Sequence, residues 1–245
     1  MDALNTIDDQ SVLTDPGLDG EEAVFDLATT PLRSVNVALH APDGPALARI
    51  ENPRGSHSVA VGLDRPMRLT IAGHVGYYAA GMNQLADVVI EGNAGVGVAE
   101  NMMSGSVTVR GDASQSAGAT AHGGLLVVHG NAGARCGISM KGVDIVVGGD
   151  IGHMSGFMAQ AGCLVARGNA GAALGDSIYE TRIYVRGEVA SLGADCVEKP
   201  MRPEHVAQLR ELLTRAGYDD DPSEYRRYGS ARALYHFHID NVGAY

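Results

Sequence analysis

Seven short apolar runs recur along the chain at one interval. They are Leu69-Thr70-Ile71, Val88-Val89-Ile90, Val107-Thr108-Val109, Leu126-Val127-Val128, Ile145-Val146-Val147, Leu164-Val165-Ala166 and Ile183-Tyr184-Val185. Each leads to a glycine, at Gly73, Gly92, Gly111, Gly130, Gly149, Gly168 and Gly187, with 19 residues at every step. Asn or Asp follows at Asn93, Asp112, Asn131, Asp150 and Asn169, with His74 and Glu188 at the two ends. Glycine recurs three residues after the pivot (Gly76, Gly95, Gly133, Gly152, Gly171) and seven after it (Gly118, Gly137, Gly156, Gly175). β-Branched apolar runs bounded by such residues read as strands and corners. Glycine and Asn/Asp tolerate the left-handed backbone that a sharp corner uses. The period is too short for a crossover helix, and the leucine-rich frame is absent. The pattern therefore predicts an all-β solenoid, a right-handed parallel β-helix of about seven 19-residue turns. On this reading Gly130→Val destabilises more than Cys136→Ser, because the corner backbone resists a β-branched residue.

The flanks divide into three parts. Residues 1–30 form an acidic arm with eight carboxylates and no Lys or Arg. Residues 31–68 read as an irregular β lead-in. Ser34 to His40 alternates, and Ile50 lies one period before Leu69, which marks an imperfect eighth turn. The β-helix itself occupies 69–200. Residues 201–245 comprise a helix and a tail. Pro203 suits a first turn, Gly217 a stop, and Val206, Leu209, Leu212, Leu213 and Ala216 make an apolar stripe. Such a helix is expected to cap the last rung. The stretch from Arg226 to Tyr245 is basic and aromatic without a period, so it is expected to serve assembly more than folding.

Composition narrows the function classes. The 29 acids against 18 bases give a net charge of −11, which excludes a broadly basic nucleic-acid surface. There is no apolar run long enough for a membrane span and no basic start to a secretory signal, so a cytoplasmic protein is expected. The cysteines Cys136, Cys163 and Cys196 fall at three different offsets from their pivots, as do His74, His122, His129 and His153. Convergence in phase is what a site on a solenoid requires, so no catalytic residue, metal or cofactor is expected on this chain. An enzyme reading would need a cleft around His122, His153 and Arg135. Two contact surfaces are suggested instead. Met102, Met103, Met154 and Met158 sit at corners, as core filling or as an adaptable surface. Arg110, Arg167 and Arg186 share the position before the pivot, with Glu91 and His129 between them, as a solvated face or a docking stripe for an acidic partner. Arg226, Arg227, Tyr228 and Arg232 of the tail complete the candidate interface.

Several segments carry a resemblance. They are Gly73-His74-Val75-Gly76-Tyr77-Tyr78-Ala79-Ala80-Gly81-Met82-Asn83, Gly97 to Gly105, Arg135-Cys136-Gly137-Ile138-Ser139-Met140-Lys141-Gly142, Ser191 to Cys196, and Arg227-Tyr228-Gly229-Ser230-Ala231-Arg232. From about residue 31 onward the chain resembles the GXGXG domains found at the end of the glutamate synthase large chain and in one of the subunits of formylmethanofuran dehydrogenase. It is most similar to the stand-alone GXGXG subunits of N-methylglutamate synthase. The resemblance implies a non-catalytic scaffold that braces an amidotransferase-like subunit and a synthase-like subunit, with FMN and an iron–sulfur cluster on the latter. Beginning Met1-Asp2, the chain is expected to lack the N-terminal cysteine of such amidotransferases.

Overall fold

The computed structural model describes residues 20–233. Its strands are β1 (Ala23–Asp26), β2 (Leu47–Glu51), β3 (Arg68–Ile71), β4 (Asp87–Ile90), β5 (Ser106–Val109), β6 (Leu125–Val128), β7 (Lys141–Val147), β8 (Ala161–Ala166), β9 (Arg182–Val185), β10 (Cys196–Lys199) and β11 (Arg226–Ser230). Two helices, α1 (Leu32–His40) and α2 (Pro203–Arg215), accompany them. All eleven strands belong to one sheet in the order β1 to β9, then β11, then β10. The chain is a parallel β-solenoid, as the 19-residue period predicts.

Like stacks on like. Ile71, Ile90, Val109, Val128, Val147, Ala166 and Val185 are partners in succession along the sheet, and all are fully buried. A second parallel ladder runs Val75, Ala94, Ala113, Ala132, Ile151, Ala170 and Val189, two residues past each pivot. Alanine at four of these seven positions lets the walls approach closely. Three further columns carry a left-handed backbone, five, seven and nine residues past the pivot, for example Arg135 (φ 60°), Gly137 (φ 67°) and Ser139 (φ 52°).

The pivots have a different cause from the one their composition suggests. Gly73 alone among them has a positive φ. At the others it is space that demands glycine. A Cβ on Gly92 would lie 2.6 Å from the carbonyl carbon of Gly73, and one on Gly187 would lie 2.6 Å from Asn169 Oδ1. From Gly111 onward the Asn or Asp after the preceding pivot adds to this crowding. Asn93 Oδ1 accepts from the Asp112 N–H (3.0 Å), Asp112 Oδ1 from Asn131 (2.7 Å), Asn131 Oδ1 from Asp150 (2.9 Å), Asp150 Oδ1 from Asn169 (2.6 Å) and Asn169 Oδ1 from Glu188 (2.9 Å). His74 Nδ1 opens the series by accepting from Asn93 (2.9 Å). Each of these side chains satisfies the next turn's backbone, and each Asn or Asp also fills the place of the next pivot's Cβ, whereas Gly92 is crowded by the backbone of Gly73 and His74.

Four expectations about the flanks need correction. Residues 32–40 form helix α1, not irregular β, because Val35 and Leu39 share a helical face and are fully buried while Val37 is exposed. The last part of the acidic arm is strand β1, which pairs with β2. The turn before β3 is real but longer than one period: Ala48 pairs with Leu69 and Ile50 with Ile71. The tail contributes β11, an antiparallel strand inserted between β9 and β10. Its aromatic residue Tyr228 is buried in the solenoid core. Residues 234–245 lie outside the described residues.

Helix α2 also sits elsewhere than expected. It covers the outer face of the sheet, packing Leu209, Leu212, Leu213 and Ala216 on Leu125, Val127, Val146, Cys163, Val165 and Tyr184. On these rungs the outward positions are apolar, so both faces of the sheet must be covered. The antiparallel β11–β10 pair ends the stack.

Candidate partner-binding surfaces

Two of the arginines before the pivots, Arg167 and Arg186, meet an acidic partner, and it belongs to this chain. After α2 the backbone turns back over the sheet. Arg167 donates to both oxygens of Asp220, from Nε at 2.5 Å and from a terminal nitrogen at 2.7 Å. Arg186 approaches Asp220 at 3.3 Å and Glu224 at 3.8 Å. The Tyr225 hydroxyl donates to Asp220 at 2.6 Å. The Arg167 hydrogen bonds hold the Asp220 carboxyl at a pKa of about 2, below its usual range. The Arg167 guanidinium also lies 3.9 Å over the ring of Tyr218. Further along the stripe, Arg110 reaches His129 Nε2 at 3.2 Å, and His129 Nδ1 meets the Tyr218 hydroxyl at 2.9 Å. An arginine can only donate, so the neutral ring carries its proton on Nδ1. Burial, then the charges of Arg110 and Arg167, lower its pKa and keep it neutral. Glu91 pairs with Arg49 at 3.0 Å. The run Asp219-Asp220-Asp221 directly after the helix was the available sequence signal for this latch.

The methionines divide between the two readings left open for them. Met102 is fully buried and belongs to the core, which removes it from any surface of this chain. Met103 and Met158 are exposed and Met154 is half-buried. The Met103 N–H bonds the Asn83 carbonyl at 2.8 Å, in the segment that carries Met82 and Leu85, each about half exposed. Tyr77 and Tyr78 are exposed too, and Tyr77 stacks on His57 with ring centroids 4.5 Å apart.

Within the tail, Tyr228 is 3% exposed and is core, not interface. Arg226 donates to the Gly187 carbonyl at 2.8 Å, and Arg227 donates through Nε to the Pro200 carbonyl at 3.1 Å. Arg232 holds Glu180 at 3.0 Å. The tail arginines therefore lie along the last rungs, and the exposed methionines lie at corners of earlier turns. The residues weighed for an enzyme reading separate as well. Arg135 and His153 are neighbours, joined by a backbone hydrogen bond of 2.8 Å. His122 extends from another corner, where its N–H bonds Met102.

The thiols are chemically quiet. Cys136, Cys163 and Cys196 are free and buried. Burial raises the pKa of each to about 12, assisted at Cys163 by Asp144 and at Cys196 by Asp195. A neutral thiol is a poor nucleophile and a poor metal ligand. Among the described residues, no group of three His, Cys, Asp or Glu could hold a metal ion. Also among them, no helix is long and apolar enough to cross a membrane.

Fold and surface together define a glycine-cornered parallel β-solenoid whose C-terminal segment is latched to its own outer face. No family model matches the chain. Over 226 residues it is 61% identical to Protein GlxC of Rhizobium meliloti (strain 1021), a match covering 91% of this chain and 99% of that protein. The chain belongs to the GlxC family.

Proposed function

We propose that this chain is a non-catalytic scaffold subunit of a glutamate-synthase-like complex. The particular complex is N-methylglutamate synthase, which converts methylamine and L-glutamate to N-methyl-L-glutamate and ammonia. In this reading the solenoid braces an amidotransferase-like subunit and a synthase-like subunit, and the FMN and iron–sulfur cluster sit on the latter. The observation that carries it is the division of the residues. The thiols are buried and neutral, Asp220 and His129 are tied to partners within the chain, and the exposed His122 stands at a different corner from Arg135 and His153. The exposed apolar corners around Met82, Leu85 and Met103 remain for contact with other proteins. The resemblance of the Gly73–Asn83 and Arg135–Gly142 segments to GXGXG subunits supplies the identity of the complex.

The test is purification of the tagged chain from its native cells, with mass spectrometry and a visible spectrum. The expected result is a stoichiometric complex with an amidotransferase-like protein and a coloured flavin, iron–sulfur protein. A colourless chain recovered alone would refute the scaffold reading. A coloured complex that makes glutamate from glutamine and 2-oxoglutarate, and is indifferent to methylamine, would keep the scaffold and replace the named enzyme.

A further inference from the structure

Positive charge gathers at the outer edge of the last rungs. Lys199 on β10 stands directly opposite Arg227 on β11, and Arg227 stands opposite Tyr184 on β9. Like charges placed directly opposite weaken a strand pair. Arg182 opens β9 and Arg202 immediately precedes α2. Burial and the charges of Arg182 and Arg202 push the Arg227 guanidinium below its ordinary pKa. Burial and the charges of all three arginines do the same to His205, which is 7% exposed.

The hydrogen bonds made by this cluster go largely to neutral atoms. Arg182 donates to Gln208 Oε1 at 2.9 Å, and Arg227 donates to the Pro200 carbonyl at 3.1 Å. Its acidic contact within the described residues is Glu204, 3.9 Å from Arg202, with both side chains more than 60% exposed. Such a pair contributes little. The arginine stripe at the other end of the same strands, four residues on at Arg186, shows what a satisfied cluster looks like in this fold. There Arg167 and Arg186 receive Asp220 and Glu224. A chain of net charge −11 that collects four cations at one edge presents a complementary surface to acid.

We propose that Arg182, Lys199, Arg202 and Arg227 form the seat for a carboxylate-rich segment of a partner subunit. This rests on the scaffold reading above and names the face that one of the braced subunits uses. Asp and Glu side chains from the partner would answer the cluster as Asp220 answers Arg167, with bidentate pairing open to the three arginines.

The chain contains two lysines, Lys141 and Lys199, and this makes the test direct. A water-soluble carbodiimide joins a lysine amine to a carboxylate only where the two touch. Applied to the complex purified from native cells, it should link Lys199 to an Asp or Glu of a co-purifying subunit. The double variant Arg182→Glu/Arg202→Glu should keep the wild-type melting temperature, lose that link, and weaken retention of that subunit on the order of tenfold or more. Arg210→Glu, an exposed reversal on α2, should leave retention unchanged. A complex indifferent to the double reversal, with Lys199 unlinked, overturns the seat and leaves the scaffold reading standing. Lys199 linked only to acids of this chain's own N-terminal region overturns the partner in favour of self-association. If the wild-type chain brings down no subunit, the scaffold reading itself falls and the seat with it.

Discussion

Replacing Gly130 with Ala tests the account of the pivots. Gly130 has an ordinary backbone, so no left-handed strain is added. The new methyl instead collides with Asp112 Oδ1 and lies 2.8 Å from the Gly111 carbonyl oxygen. Asp112 must then swing away, or the two turns must part. Swinging away breaks its bonds from the Asn131 N–H (2.7 Å) and side-chain amide (3.2 Å). Overpacking of this kind costs about 1–3 kcal/mol, and each lost hydrogen bond about 1 kcal/mol. The expected destabilisation is about 3 kcal/mol, or roughly 6–12 °C in melting temperature for a chain of this size. Urea unfolding followed by circular dichroism measures it. Gly217→Ala is the control: its φ is +81° and its Cβ meets nothing within 4 Å, so only about 1–2 kcal/mol of backbone strain is expected. The reasoning fails if Gly130→Ala is no worse than Gly217→Ala. It fails equally if the Gly130→Ala penalty is the same in an Asp112→Ala background, since part of the collision should then be gone.

Asp220→Asn should cost about 2–3 kcal/mol by leaving Arg167 and Arg186 facing a neutral group; limited proteolysis should then cut first around residues 217–224. Because Asp220 has a folded pKa near 2 against 3.8 unfolded, its contribution is complete above about pH 4 and disappears as pH falls towards 2. The melting-temperature gap between wild type and Asp220→Asn should therefore be widest near neutrality and close in strong acid; a gap that widens on acidification contradicts the latch. Truncation before Arg226 should destabilise the isolated chain and promote aggregation, since it strips β11 from between β9 and β10 and bares the edge of β9. Size exclusion showing a monomer with unchanged melting would refute that. The thiols of Cys136, Cys163 and Cys196 should resist a disulfide reagent at pH 8 until the chain is unfolded in guanidinium; rapid labelling of the native chain would contradict their burial.

Much of the solenoid was legible along the chain. One 19-residue period with apolar β-branched runs leaves few ways to satisfy the backbone and bury those side chains, because successive turns must stack in register. The helix at Pro203 was equally plain from its stripe and its terminal residues. Other features belong to the tertiary structure, because their causes lie between turns. The pivot glycines looked like corner residues, and from Gly111 to Gly187 they proved to be places occupied by the preceding turn's Asn or Asp, a contact made 18 residues away. Helix α1 was masked because Ser34 to His40 satisfies a strand alternation as well as a helical face, and only packing of Val35 and Leu39 decides between them. Met102 and Met103 are adjacent in sequence, and the turn sends one into the core and the other into solvent. The arginine stripe announced a need for acid without saying where acid would come from. Chain folding brought Asp220 to Arg167 across 53 residues. Charge acts through space, so its partners are set by the path of the backbone.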